Sequence, residues 1–192
     1  EEYLDIPIDF GSLVKAGSMM GSGGMIVMDE DDCIVDVVKF YLDFSVDESC
    51  GKCSPCRIGG KSLAQILDKI TKGNGTLEDI TTMEKIGEAM KKGSLCALGQ
   101  TTPNPILSSL AHFKDEYLAH IVDKKCPSGT CKDLISYWIL EDKCIGCTVC
   151  ARKCPVGAIS GARKEVHVID QNACTQCGVC YESCRFDAIE IR

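Results

Sequence analysis

The sequence contains no apolar run near the roughly 20 residues that a membrane-spanning helix needs, so nothing in it predicts a bilayer span. Aromatic residues are scarce, at 6%, and there are three histidines. Basic residues do not predominate, because 21 Lys and Arg stand against 28 Asp and Glu, which gives a net charge of −7. Nucleic acid is therefore not an expected partner.

Sequence motifs for bond-making chemistry are also absent. We find no Ser/His/Asp set, no paired general acid and base, and no Cys-x3-Cys-x2-Cys pattern of radical enzymes. The glycine-rich stretch 21–24 is not followed by Lys-Ser/Thr, so it predicts a turn rather than a phosphate loop. We expect the residues present here to bind cofactors and transfer electrons rather than to catalyse a reaction alone.

Cysteine is abundant, with 15 residues, and eight of them form two runs of Cys-x2-Cys-x2-Cys-x3-Cys near the end of the sequence. In the bacterial two-cluster arrangement, three thiolates of a run hold one cubane and the fourth crosses to the other. One [4Fe–4S] cluster is therefore expected on Cys144, Cys147, Cys150 and Cys184, and a second on Cys154, Cys174, Cys177 and Cys180. Gly146 and Gly178 suit such loops because glycine adopts a positive φ without steric cost.

Two other uses of these cysteines fit less well. Zinc also binds Cys-x2-Cys pairs, but zinc sites do not require two quartets in register. A disulfide scaffold is disfavoured because no secretory signal segment opens the sequence, and we therefore expect a cytoplasmic location.

The spacing of apolar residues predicts strands and helices in the rest of the sequence. Alternation at 4–10 and 25–28 predicts two short strands, whereas helical spacing over 34–44, 57–72, 76–93 and 105–124 predicts a four-helix bundle. Residues 137–140 should form a strand paired with 188–191, and 166–169 another strand with His167 at the surface. The expected fold class is α+β.

The predicted bundle carries a third cysteine group, Cys50-x2-Cys53-x2-Cys56, at the start of its second helix. A cubane needs a fourth ligand, and Cys96 follows the next helix, where a helical hairpin would return the chain to the triad. We expect Cys96 to complete this site. The alternative is that Cys96 is a buried core cysteine.

Three cysteines remain, and His120-x5-Cys126-x4-Cys131 resembles a set of three zinc ligands. Cys33 is the preferred fourth ligand, and His112 is the alternative. Such a zinc ion would fix or hinge the bundle relative to the cysteine-rich tail. If no metal binds, Cys126 and Cys131 are reduced linker thiols and Cys33 is a small buried residue.

Residues 21–29, 48–59 and 94–100 resemble the C-terminal half of the flavin-bearing, NADH-oxidising subunit of respiratory complex I and its relatives. The resemblance covers residues 1 to about 125. It implies that Cys50, Cys53, Cys56 and Cys96 bind one [4Fe–4S] cluster, which takes electrons from FMN after hydride transfer from NADH. It further implies that 1–30 ends a β-grasp domain, so that 31–124 is the bundle and 125–136 the linker.

The fused two-cluster domain at 137–192 is similar to the beta subunits of soluble, multisubunit NAD(P)-linked hydrogenases, above all the electron-bifurcating [FeFe] type, and of formate dehydrogenases. One departure is Arg185, where ferredoxins usually have proline after the last cysteine. The resemblance implies a C-terminal piece of such a subunit, whose FMN and NAD(H) domain lies upstream. Its expected function is to relay single electrons through three clusters to partner subunits or ferredoxin. The alternatives are the same module in a formate dehydrogenase, or an interaction module whose clusters mainly stabilise the fold.

Overall fold

The computed structural model describes residues 3, 5–21 and 23–192, and these fall into two compact units, 1–30 and 31–192. No helix in the described ranges has the length and hydropathy to cross a membrane.

In the first unit, the described residues form one short helix, α1 (Phe10–Lys15). Asp9 caps it, because its carboxylate accepts a hydrogen bond from the Ser12 amide at 2.7 Å. The strands predicted at 4–10 and 25–28 are wrong at the described positions, since 5–9 form turns and bends and 25–28 are irregular, while position 4 lies outside the described residues. A strand needs a neighbour for its backbone groups, and exposed Met25 and Val27 pair with none in the described part of this unit. Membership of a β-grasp domain stays a prediction.

Four helices of the second unit pack around an apolar core. They are α2 (Ile34–Asp47), α3 (Ser54–Thr71), α4 (Leu77–Gly93) and α6 (Asn104–His112), with the short α5 (Ala97–Thr101) between the last two. Helices α3 and α4 form an antiparallel hairpin: the Lys69 ammonium lies 2.7 Å from the Asp79 carboxylate near the turn, and Gly59 abuts Met90 at the far end. The hairpin brings the end of α4 back beside the start of α3, where Gly93 lies close to Pro55.

The single helix predicted over 105–124 is wrong. Helix α6 ends at His112, because Phe113 has a non-helical φ of −129°. The chain continues as α7 (Lys114–Leu118) and a π-helical turn, Ala119–Asp123. The interruption lets the Glu116 carboxylate accept a hydrogen bond at 3.1 Å from the Ile34 amide, one of the donors left unpaired at the start of α2.

A short 3-10 turn, Lys132–Leu134, leads into a module built from two similar halves. The first half contains β1 (Tyr137–Ile139), α8 (Val149–Lys153) and β2 (Ile159–Ser160), and the second contains β3 (Val168–Ile169), α9 (Val179–Ser183) and β4 (Ile189–Ile191). Strand β1 pairs antiparallel with β4, as predicted, and β2 pairs with β3. Equivalent residues of the halves are separated by 30 positions (174 − 144).

Candidate metal centres

The most enclosed group of metal-binding side chains consists of Cys33, His120, Cys126 and Cys131. Their ligand atoms all lie within 4.8 Å of one another, and all four residues are buried. Cys33 Sγ lies 3.7 Å from Cys131 Sγ, and the two sulfurs lie 3.3 and 3.4 Å from His120 Nε2. A zinc tetrahedron with bonds of about 2.3 Å has edges of about 3.8 Å, so this donor set fits zinc.

Three separate segments supply these ligands. Cys33 is the residue that precedes α2, His120 lies in the π-helical turn, and Cys126 and Cys131 bound a tight loop. The Thr130 hydroxyl donates a hydrogen bond to the Asp31 carbonyl at 3.3 Å, which holds that loop beside Cys33. The structure thus places Cys33 with the other three predicted ligands, whereas His112 is exposed on α6 and outside the group.

Glu116 orients this group, a role that the sequence analysis missed. Its carbonyl accepts a hydrogen bond from His120 Nδ1 at 2.7 Å, which leaves Nε2 to face the sulfurs. The Ala119 amide at the end of α7 donates to the same carbonyl, so the backbone and the ring share this acceptor. In the sequence, the four-residue spacing from Glu116 to His120 is the feature that could have predicted this contact.

The contacts within this buried group strongly alter its ionisation. Burial favours the neutral His120 ring, but hydrogen bonds that the ring donates to the sulfurs of Cys126 and Cys33 outweigh it and raise the pKa of His120 to about 10. Hydrogen bonds from Cys131 and Cys33 lower the pKa of the Cys126 thiol. Metal ions bind the deprotonated thiolate, so the lowered pKa of Cys126 favours metal binding, whereas binding by His120 Nε2 requires the loss of a proton.

The second group lies where the hairpin of the bundle closes. Cys53 immediately precedes α3, Cys56 lies in its first turn, and Cys96 precedes α5. The Leu95 amide donates a hydrogen bond to Cys53 Sγ at 3.4 Å, and a Cβ added to Gly99 would lie 3.0 Å from that of Cys56. The segment that bears Cys96 therefore packs against Cys53 and Cys56, and ligation of one cluster by these residues and Cys50 stays a prediction. Helix α3 also directs its positive N-terminal end toward this site, which suits an anionic cluster.

The third and fourth groups are two pockets in the module of residues 137–192, each lined by four cysteines. Cys144, Cys147, Cys150 and Cys184 line one, and Cys154, Cys174, Cys177 and Cys180 line the other. These are the two predicted sets, and each includes the cysteine that crosses from the other run. Thiolates in this arrangement suit iron–sulfur clusters.

Backbone geometry in the two loops follows the predicted pattern. Gly146 and Gly178 have positive φ values of 66° and 77°, and their counterparts in the other half, Gln176 and Thr148, also have positive φ. Amides approach the cysteines that cross between halves: Ala158 N lies 3.3 Å from Cys154 Sγ and donates to it, and Ala188 makes the equivalent bond to Cys184. Burial raises the pKa of Cys180 to about 11.

His167 is buried, so the prediction of a surface position is wrong. Only 1% of its surface is exposed, and its ring lines the Cys144 pocket. Strand periodicity could have predicted this burial, because residues two apart share a face of a strand and Ile169 is buried.

Comparisons with known proteins identify both cysteine-bearing modules. Residues 36–120 match the NADH-ubiquinone oxidoreductase-F iron-sulfur binding region, and residues 137–191 match the 4Fe-4S dicluster domain. These regions contain all twelve cysteines of the three expected clusters. The group of Cys33, His120, Cys126 and Cys131 has only His120 inside a matched region.

Two relatives show where such modules occur. The chain is 55% identical over 186 residues to NADP-reducing hydrogenase subunit HndC of Solidesulfovibrio fructosivorans, covering 97% of this chain and 38% of the relative. It is 41% identical over 127 residues to one of the F subunits of NADH-quinone oxidoreductases, that of Mycobacterium tuberculosis, covering 66% of this chain and 28% of that protein. A crystal structure of an NAD+-reducing [NiFe]-hydrogenase aligns with 50% of this chain and 17% of its own at 34% identity and a TM-score of 0.48.

The chain thus spans less than two fifths of the length of these two relatives. It joins the iron–sulfur region of the NADH-oxidising subunits to a dicluster domain, as the resemblance implied. The chain is an iron–sulfur protein related to the HndC-type hydrogenase subunits and to the F subunits of NADH-quinone oxidoreductases.

Proposed function

We propose that this chain relays single electrons through three [4Fe–4S] clusters within a multisubunit, NAD(P)H-linked oxidoreductase, most directly one of the hydrogenase type. The observation that carries the proposal is the pair of four-cysteine pockets, each completed by a cysteine from the other half of the module. That crossing keeps the two sites adjacent, as a relay between clusters requires. Similarity to HndC along 97% of the chain supports the hydrogenase context.

The chain's own residues would hold the clusters and stabilise their charge. The thiols supply the ligands, and the amides of Leu95, Ala158 and Ala188 donate hydrogen bonds to ligand sulfurs. Such bonds stabilise negative charge on a cluster and help to set its reduction potential. Cys50, Cys96, Cys147 and Cys177 are exposed, which places an edge of each site near the surface where electrons enter or leave.

We propose that the donor is an FMN that accepts hydride from NAD(P)H, held outside the residues present here, and that the acceptor is a partner subunit or ferredoxin. The names of the relatives support a nicotinamide-linked enzyme. The chain alone is expected not to oxidise NADH, and NADH-dependent reduction of a dye by it would contradict this assignment.

We propose, in addition, that Cys33, His120, Cys126 and Cys131 bind a structural zinc ion. With four protein ligands the site leaves no coordination position for a substrate, which is typical of structural zinc. The ion would tie the 126–131 loop to the bundle directly before the dicluster domain. In this way it would fix the position at which that domain leaves the bundle.

The relay is tested with Cys177→Ala in the assembled oxidoreductase, with the exposed Ser108→Ala as control. Removal of one ligand is expected to eliminate one cluster and abolish electron throughput while the subunits still co-purify. Throughput that persists without that cluster overturns the relay. Loss of assembly alone would instead assign the cluster to holding the complex together.

A further inference from the structure

Ser94 carries a buried hydroxyl directly after the end of helix α4. Only 5% of the residue is exposed, and Oγ makes no hydrogen bond to any described part of the chain. Ser109 is buried to the same extent and shows the usual arrangement, because its hydroxyl donates a hydrogen bond to the Ile106 carbonyl at 3.0 Å. Buried hydroxyls normally have a partner, so the position of Ser94 indicates an acceptor that the chain itself does not supply.

This hydroxyl lies beside the cysteines of the hairpin site, which consists of Cys50, Cys53, Cys56 and Cys96. A Cβ added to Gly99 would lie 2.6 Å from Ser94 Oγ and 3.0 Å from Cys56 Cβ, so both side chains lie against the same side of that glycine. The amide of the residue after Ser94 donates a hydrogen bond to Cys53 Sγ at 3.4 Å. Ser94 is therefore placed among the predicted ligands.

The contacts around Ser94 fix its backbone and leave its hydroxyl available. The Gln100 side-chain amide donates a hydrogen bond to the Ser94 carbonyl at 3.0 Å. Ser49 Oγ lies 3.3 Å from Cys56 Sγ, and because a ligand thiolate only accepts, Ser49 is the donor there. Ser94 makes no such bond to a cysteine sulfur of the described chain. The acceptors that remain for it are the sulfides that a bound cluster would bring.

The two pockets of the dicluster domain have a different set of donors. Cys154 and Cys184 accept hydrogen bonds from backbone amides, and no side-chain hydroxyl of the described residues bonds to a cluster cysteine there. The hairpin site combines a backbone amide with the hydroxyl of Ser49. Hydroxyl donors can be removed one at a time by substitution, so their effect on a cluster can be measured directly.

We propose that the Ser94 hydroxyl donates a hydrogen bond to a sulfide of the [4Fe–4S] cluster at the hairpin site, and that this bond raises the reduction potential of the cluster. The inference rests on the proposed function, because it requires a cluster on these four cysteines. A hydroxyl carries a proton that it can donate, and cluster sulfurs are negatively charged acceptors. Reduction adds negative charge to the cluster, so the bond strengthens on reduction and favours the reduced state.

The test compares the hairpin cluster in the parent chain and in Ser94→Ala, both loaded with clusters. The EPR signal of this cluster is identified as the one that Cys96→Ala removes. In a redox titration followed by EPR, Ser94→Ala should shift the midpoint potential of that signal to a more negative value. In deuterium ENDOR of the reduced chain, with the clusters assembled in heavy water, one deuteron coupling of that signal should disappear.

Two further variants complete the experiment. Ser109→Ala removes an equally buried hydroxyl from the same bundle and should change neither the potential nor the couplings, since that hydroxyl is bonded to the Ile106 carbonyl. Ser94→Gly removes the same hydroxyl without a methyl group in its place, and it substitutes for Ser94→Ala if that variant does not load its cluster.

The outcomes separate this inference from the function on which it rests. If the parent chain and Cys96→Ala contain the same amount of iron, the hairpin site holds no cluster, and the three-cluster relay fails together with the inference. If the cluster is present but removal of the Ser94 hydroxyl leaves the potential unchanged or every deuteron coupling in place, the role of Ser94 is overturned while the relay stands. A parent signal without any exchangeable deuteron coupling would overturn that role before a variant is made.

Discussion

The zinc-type group and the cluster cysteines differ in burial. All four residues of the group of Cys33 are buried, whereas each of the three cluster sites has at least one exposed cysteine. A metal that only holds segments together benefits from complete enclosure, because solvent cannot compete for its ligands. An electron carrier must lie near a surface through which its partner is reached. The two kinds of site therefore differ in burial as well as in ligand spacing, and the variants below test whether they are independent.

The largest expected effect comes from removing a ligand of the enclosed group. His120→Ala should abolish zinc binding and lower the free energy of unfolding by about 3 kcal/mol or more, because apparent zinc-binding energies of about 10–16 kcal/mol are coupled to folding in small zinc domains. Metal analysis and anaerobic urea unfolding measure both quantities. His112→Ala, on the surface of α6, should change neither. Zinc retained at one per chain in His120→Ala would contradict the assignment.

Removing an exposed cluster ligand should lower the iron content and leave the zinc content unchanged. Cys96→Ala is expected to lose about four of about twelve irons while zinc and the EPR signals of the dicluster domain remain. The physical reason is that the hairpin site and the dicluster pockets share no ligand. Iron and zinc per chain, with EPR of the reduced protein, provide the check. Full iron content in this variant would show that Cys96 is not a cluster ligand.

A smaller effect is expected where the linker contacts the bundle. Gly73 has φ +74°, and an added Cβ would lie 2.7 Å from Leu134 Cδ2, so Gly73→Ala should lower the free energy of unfolding by about 2 kcal/mol. Gly157→Ala is the matched control, because it has a similar φ of +65° and no atom within 4 Å of the added Cβ. The control should lose only about 1 kcal/mol from backbone strain. Equal losses in the two variants would show that contact with Leu134 contributes nothing.

The smallest effect concerns the cap of α4. The Asp79 carboxylate accepts hydrogen bonds from the Thr76 amide and the Lys69 ammonium, both at 2.7 Å. Asp79→Ala should therefore cost about 1 kcal/mol, since it removes a capping interaction and a partly exposed ion pair. Glu84→Ala, on the exposed face of the same helix, should stay within about 0.5 kcal/mol of the parent in urea unfolding. Indistinguishable midpoints for the two variants would exclude a role for this cap.

Cysteine spacing restricts which cysteines can meet, and it predicts the two sets of four that line the pockets of the dicluster domain. The run from Cys144 to Cys154 and its copy from Cys174 bring together the expected pockets, and the helices at 34–44, 57–72 and 76–93 follow from apolar periodicity. Cys33, rather than His112, lies with His120, Cys126 and Cys131. This grouping depends on where α2 begins relative to the π-helical turn.

The remaining features depend on contacts that periodicity does not encode. The break at Phe113 places Glu116 so that its carboxylate accepts a hydrogen bond from the Ile34 amide, 82 residues away, and its carbonyl accepts one from the His120 ring. Burial of His167 depends on the other half of its module and on Gly161 closing over the ring. In the first unit, the alternation at 25–28 predicts a strand, but a strand forms only where another chain segment supplies hydrogen bonds.

The central claim is that the chain holds three [4Fe–4S] clusters and one separate zinc ion, and metal analysis tests it most directly. Iron, sulfide and zinc per chain should be measured on anaerobically purified, fully loaded protein, with EPR of the reduced form. The account predicts about twelve irons, about twelve sulfides and about one zinc per chain. About eight irons, or twelve irons with no zinc, would contradict it, the first by removing the cluster of the hairpin and the second by removing the zinc ion.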